Sequence, residues 1–174
     1  TICYHAYATI AAQHNFPPSF PSPEFAVARA AERLAHPKIY AVVAELDGRI
    51  VGSNFLDERS PIAGRGPITV DPTVKNRANG RHLMQAVLDR ADARQGLGVR
   101  LVHASYHTRA LSLYAKMGFV VRDILARVTG PLQAQPIPGY TVRPATLADL
   151  DACNQVCERV HGHKRGGELG DAIQ

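Results

Sequence analysis

The chain of 174 residues contains no tryptophan, two methionines and three cysteines, and only 6% of it is aromatic. Three cysteines are too few, and odd in number, for a disulfide scaffold. Reduced thiols and a cytoplasmic location are expected. No apolar run approaches the ~20 residues a membrane span requires. The first residues, Thr1-Ile2-Cys3-Tyr4, lack the basic and apolar regions of a signal peptide. The basic residues are scattered, with no dense tract and no interleaved aromatic platform, which speaks against nucleic acid as a partner. What is present is ordinary for a globular chain: 45% hydrophobic and 20% charged residues. The length suits one domain and part of a second. A net charge of +5 fits a site for a small polyanion.

Residues 2–14 place Ile2, Ala6 and Ile10 on one helix face. The four prolines among Pro17, Pro18, Pro21 and Pro23 make the next stretch a stiff loop. Ser22 caps a second helix with Pro23 at its first position, and Val27, Ala30, Ala31 and Leu34 are expected as its buried face. Two β-rich runs, Ile39–Glu45 and Arg49–Leu56, flank Asp47-Gly48, a strong hairpin signal. A loop with Pro61, Gly64 and Gly66 leads to a short strand, Pro67–Val70. Gly80–Arg94 reads as an amphipathic helix with Leu83, Met84, Val87, Leu88 and Ala91 on its apolar side. Val99–Ser105 is expected as a strand, Thr108–Met117 as a helix and Phe119–Thr129 as a long strand or hairpin. Strands alternating with helices indicate an α/β sheet with helices on both faces.

A pyrophosphate needs pre-aimed backbone N–H donors and a positive field, and a loop entering a helix N-terminus supplies both. Strand Ile68-Thr69-Val70 leads through Asp71-Pro72 and on to Arg77-Ala78-Asn79-Gly80-Arg81-His82 at the start of the amphipathic helix. Glycine lets backbone approach an oxygen without a Cβ in the way. Read alone, this turn is either a phosphate cradle or an ordinary loop before a surface helix. Likewise Tyr114, one turn beyond Ala110, is either a functional hydroxyl or a core tyrosine tied to a carbonyl.

The two segments together resemble the GNAT family of acyl-CoA-dependent N-acyltransferases. That family has Arg/Gln-x-x-Gly-x-Gly/Ala after a strand ending in Val-x-Pro, matched by Val70, Pro72, Arg77 and Gly80. His82 stands where the family has glycine or alanine, so its side chain either crowds the phosphates or faces outward. The family's second pattern, Asn-x-x-Ala-x-x-x-Tyr-x-x-x-Gly-Phe, is matched by Ala110, Tyr114, Gly118 and Phe119, with His107 in the asparagine position. The resemblance covers residues 1–130. It implies an α+β mixed sheet, mostly antiparallel and splayed in the middle, with acetyl-CoA as co-substrate and no metal. It also implies that backbone groups of Ile68, Thr69 and Val70, the turn Arg77–His82, His107 and Ala110 hold the coenzyme, while Tyr114 assists departure of the thiolate. The acceptor would be a small-molecule or peptide amine, contacted by Tyr4, His14 and Phe16. His14 and Phe16 also read as parts of a rigid connector, His14-Asn15-Phe16-Pro17-Pro18. A homodimer is compatible with this reading. The rival reading is a non-catalytic coenzyme-binding or structural half of a tandem protein.

Two magnitudes shape the expected chemistry. Proton transfer from a phenol near pKa 10 to a thiolate near 8.5 is uphill by about 2 kcal/mol, so Tyr114 would act largely by hydrogen bonding to the developing thiolate. An alkylamine near pKa 10.4 is only about one part in 10³ neutral at pH 7, which calls for a base or a water chain. Glu45, Asp71, His103 and His107 are the candidates, with none preferred. Cys153, Cys157, His161 and His163 suggest a metal, but Cys153 and His161 lie about 12 Å apart along a straight helix, so these cysteines are read as core thiols.

The family's opening strand with Arg-Pro-x-x-x-x-Asp-Leu is missing at the start and occurs instead as Val142-Arg143-Pro144 through Asp149-Leu150. Residues 1–130 are therefore read as a domain without its usual first strand, and 131–138 as a proline-rich linker. Residues 139–174 either begin a second repeat or complete the sheet with Tyr140–Arg143 beside its vacant edge. Thr146 and Asp149 form a capping box before a last helix, and the tail from His161 to Gln174 is expected to be loose.

Overall fold

Asp47 and Gly48 both take left-handed backbone, with φ of 52° and 73°. The chain therefore reverses in two residues, as an Asp-Gly hairpin should. β1 (Ile39–Leu46) pairs antiparallel with β2 (Arg49–Asp57) from Ile39↔Asp57 to Leu46↔Arg49. This is a computed structural model, and it describes residues 2–74, 78–126, 128, 130–131 and 137–174. β3 (Ile62–Arg65) and β4 (Thr69–Val70) both pair antiparallel with β2, and β5 (Gly98–Arg100) runs parallel to β3. The result is the mixed, mostly antiparallel sheet expected, ordered β1-β2-β3-β5 with β4 also on β2.

Alternation along β2 assigns the two faces. Gly52, Asn54 and Leu56 face α3 (Asn79–Ala93): the Asn54 amide donates to the Leu83 carbonyl at 3.0 Å, and Leu56 clusters with Ala63, Val87 and Ala91. Ser53 and Phe55 face the opposite side, toward α1 (Ile2–Gln13) and α2 (Pro23–Ala35). Leu56, Met84 and Val87 are completely buried, and each is worth about 1.5–3 kcal/mol of transfer free energy, so this seam anchors the sheet.

Gly52 is small for a reason. A Cβ there would lie 2.7 Å from the Thr69 carbonyl oxygen and 3.0 Å from Leu83 Cδ1. Because the nearer atom is backbone, the neighbours yield little. Gly52→Ala is expected to destabilise by about 1–3 kcal/mol through overpacking. Its denaturation midpoint measures this, and an unchanged midpoint would contradict the packing described.

α2 begins as read: Ser22 Oγ accepts from the Phe25 amide at 3.2 Å. Its inward face differs. Ala26 is buried, whereas Val27 and Leu34 are 51% and 64% exposed. The sheet-facing stripe is Ala26, Ala30 and Arg33, whose spacing follows the helix and which borders a cavity instead of a sealed core.

Several other expectations are corrected. The loop before Gly66 contains β3. The Val99–Ser105 strand stops at Arg100, because the partner strand turns away at that level. No strand forms among the described residues of Phe119–Thr129, which follow α4 (Thr108–Lys116). Ile124 and Val128 there are 88% and 92% exposed, since no strand among the described residues covers them. Tyr140–Arg143 is not a strand and does not complete the sheet. Arg143 instead turns onto its own following segment, donating to both Asp149 oxygens at 2.7 and 2.8 Å.

Most of the linker, residues 132–136, lies outside the described residues. The Thr146–Asp149 box is present, and α5 (Leu150–His161) follows, carrying the partly buried Cys153 and Cys157. The expected loose tail is a helix, α6 (Gly166–Ile173). It is tied to the sheet by Glu168–Arg100 at 2.5 Å and by Asp171–Arg59 at 2.8 Å. Among the described residues no helix is long and apolar enough to cross a membrane.

Candidate active site

The site begins with one extra residue. From Leu56↔Arg65 to Gly52↔Val70, β2 advances four residues while its partner advances five. The surplus is a β-bulge at Gly66-Pro67-Ile68, with Gly66 at φ 120° and its amide held by the Phe55 carbonyl at 2.9 Å. Before the bulge, the outer edge of β3 is paired with β5. After it, no strand among the described residues pairs with the outer edge of β4, and the chain beyond Arg100 leaves the sheet. The sheet is therefore splayed beside Ile68–Val70, and this edge can take an extended ligand as an added strand.

α3 starts just past this edge. Ala78 is its N-cap in left-handed backbone, φ 58°, and its carbonyl accepts from Arg81 and His82 at 2.9 and 3.0 Å. The amides of Asn79 and Gly80 come before those first bonds and belong to the free opening turn of the helix. The Gly80 α-carbon faces Leu113 of α4 and Val70 of β4, where a Cβ would sit 3.8 and 3.9 Å from their side chains. His82 is exposed and borders a separate hollow beside Val42–Glu45 of β1. Its imidazole thus faces away from the side that Gly80 presents to α4. Arg77 lies outside the described residues.

α4 supplies the reactive candidate. His107 is the N-cap, Ala110 is partly buried, and Tyr114 is 4% exposed. Arg65, itself 8% exposed, donates from Nη2 to the Tyr114 hydroxyl at 2.7 Å and from Nε to the Met84 sulfur at 3.0 Å. Its guanidinium carbon lies 4.7 Å from the centre of the Tyr114 ring. Because the Tyr114 oxygen accepts from Arg65, its own proton remains available for another acceptor. No carboxylate pairs with Arg65 among the described residues.

Of the four base candidates, His103 touches Tyr114 edge-on at 5.6 Å, and its buried Nδ1 has no hydrogen-bond partner among the described residues. Asp71 braces the turn: Thr73 Oγ1 and N donate to it at 2.7 and 2.9 Å, which holds its carboxyl below the ordinary range and makes it a weak base. Glu45 is exposed near the hairpin end.

On the α1/α2 face a cavity of about 490 Å³ opens onto the splay, bordered by Cys3 and Tyr7 of α1, Arg33 of α2, Arg65 and Arg100. Burial pushes the Tyr7 phenol up to about 12. Tyr4, His14 and Phe16, the expected acceptor contacts, do not border this cavity. His14 and Phe16 gather on Tyr106, with Phe16 stacked at 4.5 Å, and Tyr4 sits beside His5. Cys3 and Tyr7 share a helix face at i, i+4, a signal that was available in the sequence. Arg65 had no such signal, because it sits between two glycines in what reads as a loop.

Residues 37–121 match the model of the GNAT acetyltransferase domain. No curated protein sequence matches the chain significantly. Among solved structures, a transcriptional regulator from Bacillus halodurans is similar at a TM-score of 0.58 and 18% identity, over 73% of this chain and 90% of that one. AAC(6')-Iy, solved with a bisubstrate analogue of coenzyme A and acetylneamine, is similar at 0.53 and 18%, over 72% and 92%. An aminoglycoside acetyltransferase from an uncultured soil sample, solved with trehalose, is similar at 0.52 and 18%, over 74% and 85%. At these identities the structures speak for the fold. The domain match over residues 37–121 places a GNAT acetyltransferase domain in this chain, and the mixed, bulged and splayed sheet is the fold those structures share with it.

Proposed function

We propose that the chain transfers an acetyl group from acetyl-CoA to a primary amine by direct attack, with Tyr114 assisting the leaving group. The observation that carries this reading is the buried Arg65–Tyr114 contact of 2.7 Å beside the unpaired β4 edge. Acetyl-CoA supplies the activated thioester. Backbone groups of Ile68, Thr69 and Val70 would take its amide-bearing arm. The opening turn Ala78–His82, with Arg81 and the Arg77 of the sequence motif, would take its phosphates. Ala110 leaves room on α4, and His107 borders the same helix start. Tyr114 holds its proton toward the splay while Arg65 fixes its oxygen. A phenol so held stabilises developing charge on sulfur without full proton transfer. Loss of the amine proton to a base or water completes the exchange of an N–C for an S–C bond.

The division of the chain follows the same reading, with residues 1–130 as the acetyltransferase domain and 139–174 as the beginning of a second repeat.

Calorimetry with acetyl-CoA, followed by thiol release with an amine panel, tests the proposal. Absence of coenzyme binding would sink it. Coenzyme binding without thiol release, unaltered in Tyr114→Phe, would favour a non-catalytic coenzyme-binding protein. Gly80→Ala sharpens the test. The nearest atoms, at 3.8 and 3.9 Å, tolerate a methyl group, so the fold is expected to be retained. Coenzyme affinity is expected to fall about tenfold, because the backbone approach to the phosphates is blocked.

A further inference from the structure

The cavity between α1, α2 and the splayed sheet has an unusual electrostatic composition. Four arginines border it (Arg29, Arg33, Arg65 and Arg100) and no aspartate or glutamate does. Two of these charges are spoken for within the chain. Arg29 pairs with Glu32 at 2.5 Å, and Arg100 Nη2 with Glu168 at 2.5 Å. The other two have no carboxylate partner among the described residues. Arg33 donates to the Arg29 carbonyl at 3.1 Å, and Arg65 to Tyr114 and Met84. In addition, Arg100 Nε is buried with no hydrogen-bond partner among the described residues. Burial, then the neighbouring Arg29, lowers the pKa of Arg33, against the opposing pull of Asp57, Cys3 and Glu32. Tyr7 also borders the cavity, and its phenol is within electrostatic reach of Arg65, Tyr114 and Arg33.

Arg65 is buried and Arg33 half-buried, and a guanidinium partly withdrawn from water gains when an anion meets it. A polycationic acceptor would meet repulsion here and would lose most of its charge-assisted contacts. An acceptor with both an amine and a carboxylate would find complementary charge at the Arg33 end while its amine reached toward Arg65 and Tyr114. A volume of about 490 Å³ accommodates a small molecule of this kind.

Resting on the acetyltransferase reading, we infer that the acceptor is a carboxylate-bearing amine of the amino-acid class, with Arg33 as the residue that binds its carboxylate.

Acetyl-CoA binding is measured first by calorimetry. Thiol release is then followed for a panel of amino acids, each set beside its own carboxamide, its decarboxylated amine and an aminoglycoside. The carboxylate form is expected to show a kcat/KM about 10- to 100-fold higher than its amide and its decarboxylated amine, which is the worth of one charge-assisted hydrogen bond. Arg33→Gln is expected to bring that ratio close to one through KM. Arg33→Lys, which keeps the charge, is expected to retain a preference and guards against misfolding of the glutamine variant. Failure of acetyl-CoA to bind would remove the acetyltransferase reading and this inference with it. Coenzyme binding with equal or better turnover of the amide, the amine or the aminoglycoside would overturn the inference alone. So would a ratio unchanged in Arg33→Gln, or coenzyme binding with no turnover of any carboxylate.

Discussion

Tyr114→Phe is expected to lower kcat for thiol release about 10²- to 10³-fold, the range in which a positioned proton donor contributes. Acetyl-CoA affinity, read by calorimetry, is expected to change little, because the hydroxyl acts on the sulfur only as charge develops there. The substitution also deprives Arg65 of its acceptor at 2.7 Å. A buried donor left unsatisfied costs about 1–3 kcal/mol, so the variant is expected to melt earlier and is best assayed well below its Tm. A variant that melts earlier and turns over normally would leave Tyr114 with a packing role only.

Arg65→Met separates the two roles of the same contact. Arg65 carries a charge at 8% exposure, with no carboxylate partner among the described residues. Replacing such a group by an apolar side chain of similar length removes a desolvation penalty, and the change in stability is expected to be neutral to favourable by about 1–3 kcal/mol. The Tyr114 hydroxyl, however, loses the donor that orients it. kcat is expected to fall about 10- to 100-fold, with Tm unchanged or raised. Thermal melting and thiol release on the same sample check both. A lowered Tm with full activity would show that Arg65 is structural and that the hydroxyl is positioned by other groups. The pairing of lower activity with equal or greater stability is what a buried charge kept for function predicts.

Local signals in the chain were reliable wherever a few neighbouring residues settle the conformation. Asp47-Gly48 reverses the hairpin because both residues accept positive φ. Ser22 and Pro23 start α2 because a side-chain oxygen and a missing N–H suit a helix entrance. The apolar spacing of Leu83, Met84, Val87 and Ala91 aims α3 at the sheet, and the Ala110–Tyr114 spacing orients α4. The two motif segments that carry the family resemblance are of this kind.

Where periodicity competed with tertiary context, it lost. Val27 and Leu34 satisfy a helical stripe but are exposed, because the neighbouring stripe with Ala26 and Arg33 borders the cavity. The β-rich run after Phe119 has strand propensity but no pairing strand among the described residues, and a lone strand satisfies neither its hydrogen bonds nor its apolar faces.

The site divides along the same line. The residues of the phosphate turn and of α4 are legible in order along the chain, since each motif spans only thirteen residues. The contact between Arg65 and Tyr114 joins positions 49 apart. It forms because strand register and helix packing bring β3, α3 and α4 to the same place. The arginine-lined cavity has the same origin, drawing side chains from α1, α2, β3 and β5, and so does the pairing of Arg100 with Glu168 of α6. Local backbone preference and side-chain period act over a turn or two of chain and can be read from the residues themselves. Which distant charges end up sharing one cavity depends on strand register and helix packing, and these are settled only when the chain closes on itself.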